Sequence, residues 1–196
     1  MKLVVGLGNL EERYDHTRHN VGFHWLDGLA NLHGLRFSDN KKFFGLTCKL
    51  SESRGDVWLL KPGVYMNNSG RSVGAIASFF NFSPSEILIV HDELDLPNGY
   101  IKLKKSGGHG GHNGLRNIID QMQGENNFKR LRLGIGHPGK GKDVITYVLK
   151  KASKKDRSKL EKTFDKCNSI GELIMTEGWE KTIMHFHTGK GASIES

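Results

Sequence analysis

The apolar positions of the chain fall into short continuous runs, separated by stretches in which they recur at helical spacing. Lys2 to Gly6, KLVVG, is a run of strand length that ends in a glycine-rich turn, the pattern of a strand buried on both faces. Val21, Trp25, Leu29 and Leu32 then follow a helical period, and Gly34 supplies the stop. Further strands are predicted at Phe44 to Leu50, Val57 to Leu60, Ile87 to His91 and Arg130 to Gly136. Between and after them lie three helical stripes. One is Val73, Ile76, Ala77 and Phe80, and the next is Leu115, Ile118, Ile119 and Met122. The last runs from Leu160 through Phe164, Cys167, Gly171 and Ile174 and is extended by Trp179, Ile183 and Phe186. These stripes read as core.

Strands interleaved with helices predict an α/β fold, here a single three-layer α/β/α domain with a twisted sheet. The runs at 44–50 and 57–60 are joined by SESRGD and read as a hairpin, so the sheet is expected to be mixed. One domain is expected over residues 1–188. The last eight residues, GKGASIES, are small and polar and are expected to fray as a tail over 189–196.

Composition narrows the class. The 196 residues contain no apolar stretch near the roughly 20 needed to cross a bilayer, and the first apolar run is too short for a signal peptide. Cys48 and Cys167 lie far apart and form no CxxC pair, which points to a reduced compartment and away from a zinc cluster or a disulfide framework. A soluble cytoplasmic protein is expected. Twenty-nine Lys+Arg against 21 Asp+Glu leave a formal charge of +8, which favours polyanionic partners. The excess is concentrated, since His137 to Lys166 holds ten Lys/Arg and four Asp/Glu, and that run fits a solvated helix face as well as an RNA surface.

Ligand sites in open α/β sheets form beyond the carboxyl ends of the strands, so the residues after each predicted strand are the place to look for chemistry. After the first strand come Asn9 and YDHTRHN, Tyr14 to Asn20. KPGVYMNNSG follows the strand that ends at Leu60 and carries Tyr65, Met66 and Asn67. ILIV runs into HDELDLPNG, with His91, Asp92, Glu93 and Asp95, and the glycine-rich KKSGGHGGHNG opens a helix at His112 and Asn113. Four segments thus bring polar groups to one edge of the sheet.

Several familiar readings fail. GLGNLE has Glu11 where a dinucleotide fingerprint needs its third glycine, and the HxE of His91 and Glu93 lacks the PCxxC partner of zinc deaminases. No serine sits in a GxSxG elbow, and neither cysteine has a base beside it in sequence. The remaining set of histidine, aspartate and asparagines suits direct attack of water on an activated carbonyl. A neutral histidine takes the proton, a carboxylate on its other nitrogen fixes the tautomer, and amide N–H groups hold the oxyanion.

Taken together, GLGN, YDHTRHNVGF, KPGVYMNNSGRSV, HDELDLPNGYIKLKKSGGHGGHNGLRNI and FKRLRLGIGHPG closely resemble the bacterial peptidyl-tRNA hydrolases, in family order across about the first 140 residues. The resemblance implies hydrolysis of the ester between a peptide and the 3′ ribose of tRNA, by a monomer that needs no cofactor and no metal. It assigns His19 as the general base and Asp92 as its orienting partner. Asn9 falls beside that pair, Asn67 on the peptide main chain, and Asn113 on substrate or water. Tyr65 and Met66 would wall the peptide channel, Tyr14 would pack at the loop, and His112 would sit on a lid. Lys104 and Arg132 match the clamp for the 5′ phosphate of tRNA, with Lys102 and Lys105 extending it. His16 falls on a variable, surface position, while Arg18 and Asn20 brace the loop.

Two departures from the family pattern are visible. Leu10 and Glu11 replace its usual Pro-Gly after Asn9, which removes a proline's stiffness from that turn, and Val64 replaces its usual Thr. Two other functions compete, a non-catalytic RNA-binding relative and a basic hydrolase of small esters. Retention of His19, Asp92, Asn9, Asn67 and Asn113 weighs against the first, and Lys104 with Arg132 against the second.

Overall fold

A computed structural model of the chain describes residues 1–52 and 55–188. A seven-stranded sheet forms its middle layer: β1 (Leu3–Gly6), β2 (Ser38–Asn40), β3 (Gly45–Leu50), β4 (Val57–Pro62), β5 (Ile87–Glu93), β6 (Ile101–Lys105) and β7 (Lys129–Gly134), in the order β2-β3-β4-β1-β5-β7-β6. The four inner strands β4, β1, β5 and β7 are parallel, whereas β2 and β3 at one edge and β6 at the other run antiparallel to their neighbours. The expected hairpin is β3 with β4, Thr47 opposite Leu60. The sheet is therefore mixed and covered on both faces, as the interleaving predicts.

Alternate residues of β1 and β5 feed two cores, while β7 gives Leu131 and Leu133 to one of them. Val4, Leu88, Val90, Leu131 and Leu133 pack toward α1 (Val21–Leu32), α5 (Lys154–Thr176) and α6 (Trp179–Thr188), around Trp25, Cys167 and Ile170. Leu3, Val5, Ile87 and Ile89 pack toward α2 (Ser69–Phe80) and α3 (Asn113–Gln121), around Val73, Ile76 and Phe128. Both cysteines are free and buried, and burial pushes the Cys48 thiol up to about 11 and that of Cys167 higher still. They serve as packing groups.

Four details differ from the sequence-based expectation. β5 continues through Asp92 and Glu93, so those carboxylates stand on the strand and not beyond it. β7 spans Lys129–Gly134 where 130–136 was expected. β2, β6 and the short helix α4 (Val144–Leu149) had not been anticipated, and Gly178, at φ +91°, divides the C-terminal stripe into α5 and α6. The expected tail, 189–196, lies outside the described residues.

One close approach sets the site. A Cβ on Gly22 would lie 2.5 Å from Leu7 N and from Val90 O, and one on Gly6 would lie 2.4 Å from Gly22 O. Only glycine lets the first turn of α1 rest directly on the ends of β1 and β5. The turn just before it, Arg18–Asn20, is thereby set above those strand ends. With β4 and β5 on opposite sides of β1, this is also where the chain reverses its direction of winding.

Candidate active site

His19 stands in the 3-10 turn Arg18–Asn20, and Asp92 stands near the end of β5. The His19 Nδ1 to Asp92 Oδ1 distance is 2.9 Å. His112 reaches the same oxygen with Nε2 at 3.0 Å. Burial alone would raise the Asp92 pKa, but the charges and hydrogen bonds of the two imidazoles hold it well below the ordinary carboxylate value. An ionised Asp92 can only accept, so both ring nitrogens that face it carry hydrogen. That leaves the Nε2 lone pair of His19 for the cleft. Burial lowers the His19 pKa, yet the Asp92 charge and hydrogen bond outweigh it and the net shift is upward.

The second imidazole is fixed from its other side. His112 caps α3, its Nδ1 accepting from Gly114 N at 3.1 Å and from Leu115 N at 3.3 Å. His19, Asp92 and His112 are close enough to bind a metal ion. The cap argues against it, because Nδ1 is occupied as an acceptor and the proton must reside on Nε2, the nitrogen a metal would need. The donor set fits a proton relay. Behind it, the buried His91 donates from Nδ1 to the Asp92 carbonyl at 2.8 Å and meets the His112 ring edge-on. Burial chiefly, with His112 nearby, pushes the His91 pKa down to about 3, so it stays neutral.

Asn9 is held without the missing proline. Its N–H donates to Asn20 Oδ1 and its carbonyl accepts from Asn20 Nδ2, both at 2.9 Å, so one amide side chain closes the turn that a Pro-Gly would stiffen. Met66 N donates to Asn9 Oδ1 at 2.9 Å, which leaves the Nδ2 donor of Asn9 turned to the cleft with no partner among the described residues. Glu11, the other departure, pairs with Arg13 at 2.9 Å and accepts from the Tyr65 hydroxyl, an interaction that raises the Tyr65 pKa. Arg13 in turn lies over the Tyr14 ring.

A cleft of about 420 Å³ joins these groups. Asn9, Tyr14, His19, Tyr65, Met66, Asn67, Asp92, His112 and Asn113 all line it, so the expected catalytic and peptide-binding positions converge on one cavity. The opposite wall is Leu94 with Val144, Ile145, Val148 and Leu149 of α4, and His109 enters from the glycine-rich segment. Sequence reasoning missed that wall. Its apolar spacing and the capping Asp143, which accepts from Ile145 N at 2.9 Å, were the available signals.

Arg18 and Asn20 brace the loop as expected. Arg18 Nη1 donates to the carbonyls of Lys150 and Lys151, and its Nη2 lies 3.1 Å from Asp156 Oδ2 at the start of α5. Its guanidinium covers the Tyr147 ring of α4 at 4.3 Å. One side chain therefore ties the His19 turn to the apolar wall. His16 is exposed, at φ +59°.

The expected clamp residues lie on β6 and β7, away from the cleft lining. Lys102 faces Arg132 and Lys104 faces Arg130 across the strand pair, so four cations share one face of the sheet. Like charges in cross-strand register repel one another. Arg132 Nε is held by Glu93 Oε2 at 2.9 Å. Lys105 belongs to the other face, 3.9 Å from Glu180 of α6, and does not join this strip. The buried Arg130, missed in the sequence, donates to the carbonyls of Gly107 and Gly108, and burial together with Arg132 lowers its pKa to about 10.

The family model for peptidyl-tRNA hydrolase matches residues 3–194. The chain belongs to the peptidyl-tRNA hydrolase family. It is 46% identical over 190 residues to the peptidyl-tRNA hydrolase of Pseudomonas fluorescens (strain SBW25), covering 97% of this chain and 98% of that one. It is 48% identical over 178 residues to that of Haemophilus ducreyi (strain 35000HP / ATCC 700724), covering 91% and 92%. Among solved structures, a crystal structure of peptidyl-tRNA hydrolase from Acinetobacter baumannii superposes with a TM-score of 0.85 at 43% identity, covering 91% of this chain and 89% of that one. This chain is accordingly an ester hydrolase that cleaves peptidyl-tRNA and releases tRNA for translation. No helix among the described residues is long and apolar enough to cross a membrane.

Proposed function

We propose that the enzyme cleaves the ester by general-base activation of water, with His19 as the base. The observation that carries this reading is the 2.9 Å bond from His19 Nδ1 to Asp92, which leaves Nε2 unprotonated on the cleft side. Water attacks the carbonyl carbon while Nε2 takes its proton. Asp92 stabilises the resulting imidazolium, and the C–O3′ bond then breaks as His19 returns the proton to the ribose oxygen. General-base help is worth about 10² to 10⁴ in rate and a good oxyanion donor about 10² to 10³. Those magnitudes suffice for an ester.

Asn9, Asn67 and Asn113 supply amide donors to the peptide main chain and the oxyanion. The free Nδ2 of Asn9 supports this role for it. Because they read backbone amides, they accept varied peptides, and a free ammonium would leave them unpaired. Tyr14, Tyr65, Met66 and His112 form the surrounding walls. Lys104, Arg132 and Lys102 hold tRNA phosphate, which reads no base and admits many tRNAs.

We read the catalytic unit as residues 1–188, acting as a monomer in the cytoplasm. The buried thiols suit a reduced compartment. The decisive test is cleavage of N-acetylaminoacyl-tRNA by wild type and His19→Ala side by side. Loss of cleavage in the variant supports the base, and a wild-type rate would remove it.

A further inference from the structure

The mechanism above uses His19 and fixes His91 and His112 in structural roles, but the cleft is lined by one further imidazole. His109 lies in the segment 106–112, which leaves the far end of β6 at Lys105 and climbs back to the cap of α3. On its way the segment passes the cationic strip: a Cβ on Gly107 would lie 3.1 Å from Lys104 Cε, and Arg130 holds the Gly107 and Gly108 carbonyls. It ends at His112, whose Nε2 touches Asp92. His109 therefore stands between the groups assigned to phosphate and the group assigned to the ester carbonyl. A ribose bound between those groups would meet this ring.

Its chemistry is fixed by its own backbone. Nδ1 of His109 accepts from Gly111 N at 3.0 Å, so the neutral ring carries its hydrogen on Nε2. The His109 carbonyl accepts from His112 N at 2.9 Å, which couples the ring to the residue that contacts Asp92. Ser106, Gly107, Gly110 and Gly111 all have positive φ, so the turn that presents the ring is built from conformations few residues adopt. His109 itself is only half-buried and packs into no core.

We infer that His109 is a catalytic residue, a hydrogen-bond donor whose Nε2–H binds the 3′ oxygen of the terminal ribose as that oxygen leaves. No proton is transferred from it. Water's proton still travels through His19 to O3′, and His109 stabilises the charge that develops on O3′ while the C–O bond breaks. The inference rests on the general-base reading of His19, and the test keeps the two apart.

The test uses N-acetylaminoacyl-tRNA in which the 2′ position of the terminal ribose carries either hydrogen or fluorine. Fluorine withdraws charge and makes O3′ the better leaving group. In single-turnover cleavage, His109→Ala should slow the 2′-hydrogen substrate by about tenfold to a hundredfold, the worth of one hydrogen bond to a charged oxygen. The loss on the 2′-fluoro substrate should be several-fold smaller, and His109→Gln, which keeps an N–H donor, should recover most of it. An equal loss on both substrates, or no loss on either, overturns the assignment. His19→Ala run in parallel should lose both substrates, and if it does not, the base reading is the one that fails.

Discussion

Replacing Asp92 by Asn keeps the shape of the side chain and removes its charge, and the structure sets the direction of two consequences. The first concerns titration. In the native site, burial pulls the His19 pKa down, while the Asp92 charge and hydrogen bond together carry it above 6.5. With the charge gone, burial dominates and the pKa falls below 6.5. With His19 as the proposed base, catalysis needs it neutral, so the acidic limb of kcat/KM against pH, which reports the free enzyme, should lie above 6.5 in the native protein and move below it in the variant. Each unit of movement corresponds to about 1.4 kcal/mol of lost imidazolium stabilisation. The second consequence is the rate on the plateau. Two imidazole N–H groups now share one neutral amide, whose NH2, if turned to His19 Nδ1, forces the proton onto Nε2 and removes the base. A drop of about 10² to 10⁴ is expected, or about 3–5 kcal/mol of transition-state stabilisation. The assay is initial-rate cleavage of N-acetylaminoacyl-tRNA from pH 5 to 9. An acidic limb that stays in place or moves upward would refute the electrostatic argument, even with a reduced plateau.

Four other outcomes follow from particular contacts. Lys104→Ala and Arg132→Ala should each raise KM for tRNA substrates and reduce the salt slope of binding by about one, and an unchanged slope would remove their phosphate role. Gly22→Ala would set a Cβ 2.5 Å from the backbone of β1 and β5, so urea unfolding should show a loss of about 3 kcal/mol or more. Arg18→Met removes the cation beside Asp156 and the Arg18 donor from two carbonyls, an expected loss of about 1–3 kcal/mol that should lower Tm and kcat together. Asp92 has a depressed pKa, so its contribution to stability is complete above 3.8 and disappears as pH falls through its folded value. The urea midpoint should therefore fall on acidification, and fall less steeply in Asp92→Asn.

The fold was legible wherever a segment obeyed one period. LVVG and ILIV are buried on both faces and read as strands without ambiguity, and Val73, Ile76 and Ala77 bury on one helix face as spaced. β6 escaped because its five residues alternate Ile and Leu with lysine, which also fits a solvated loop, and only pairing with β7 settles it. α4 escaped for the opposite reason. Val144, Ile145, Thr146 and Val148 favour strands by propensity, and tertiary packing around Tyr147 and Arg18 overrides that preference. The end of β5 was misjudged because Asp92 and Glu93 look like loop residues until their partners are known.

The site was legible as a set of residues but not as a set of bonds. Motif order singled out His19 and Asp92 across more than seventy positions, yet nothing in the sequence says that His112 shares the Asp92 oxygen, or that Asn20 substitutes for a missing proline at Asn9. These facts depend on the glycine contact between α1 and the strands, which positions the turn, and on the cap of α3, which chooses the His112 tautomer. The same logic separates the lysines. Lys104 and Lys105 are neighbours in the chain, but the pleat of β6 sends the first to the cationic face and the second to α6. A charge count along the sequence sums both into one patch; the strand divides them, and of the two only Lys104 shares a face with Arg132.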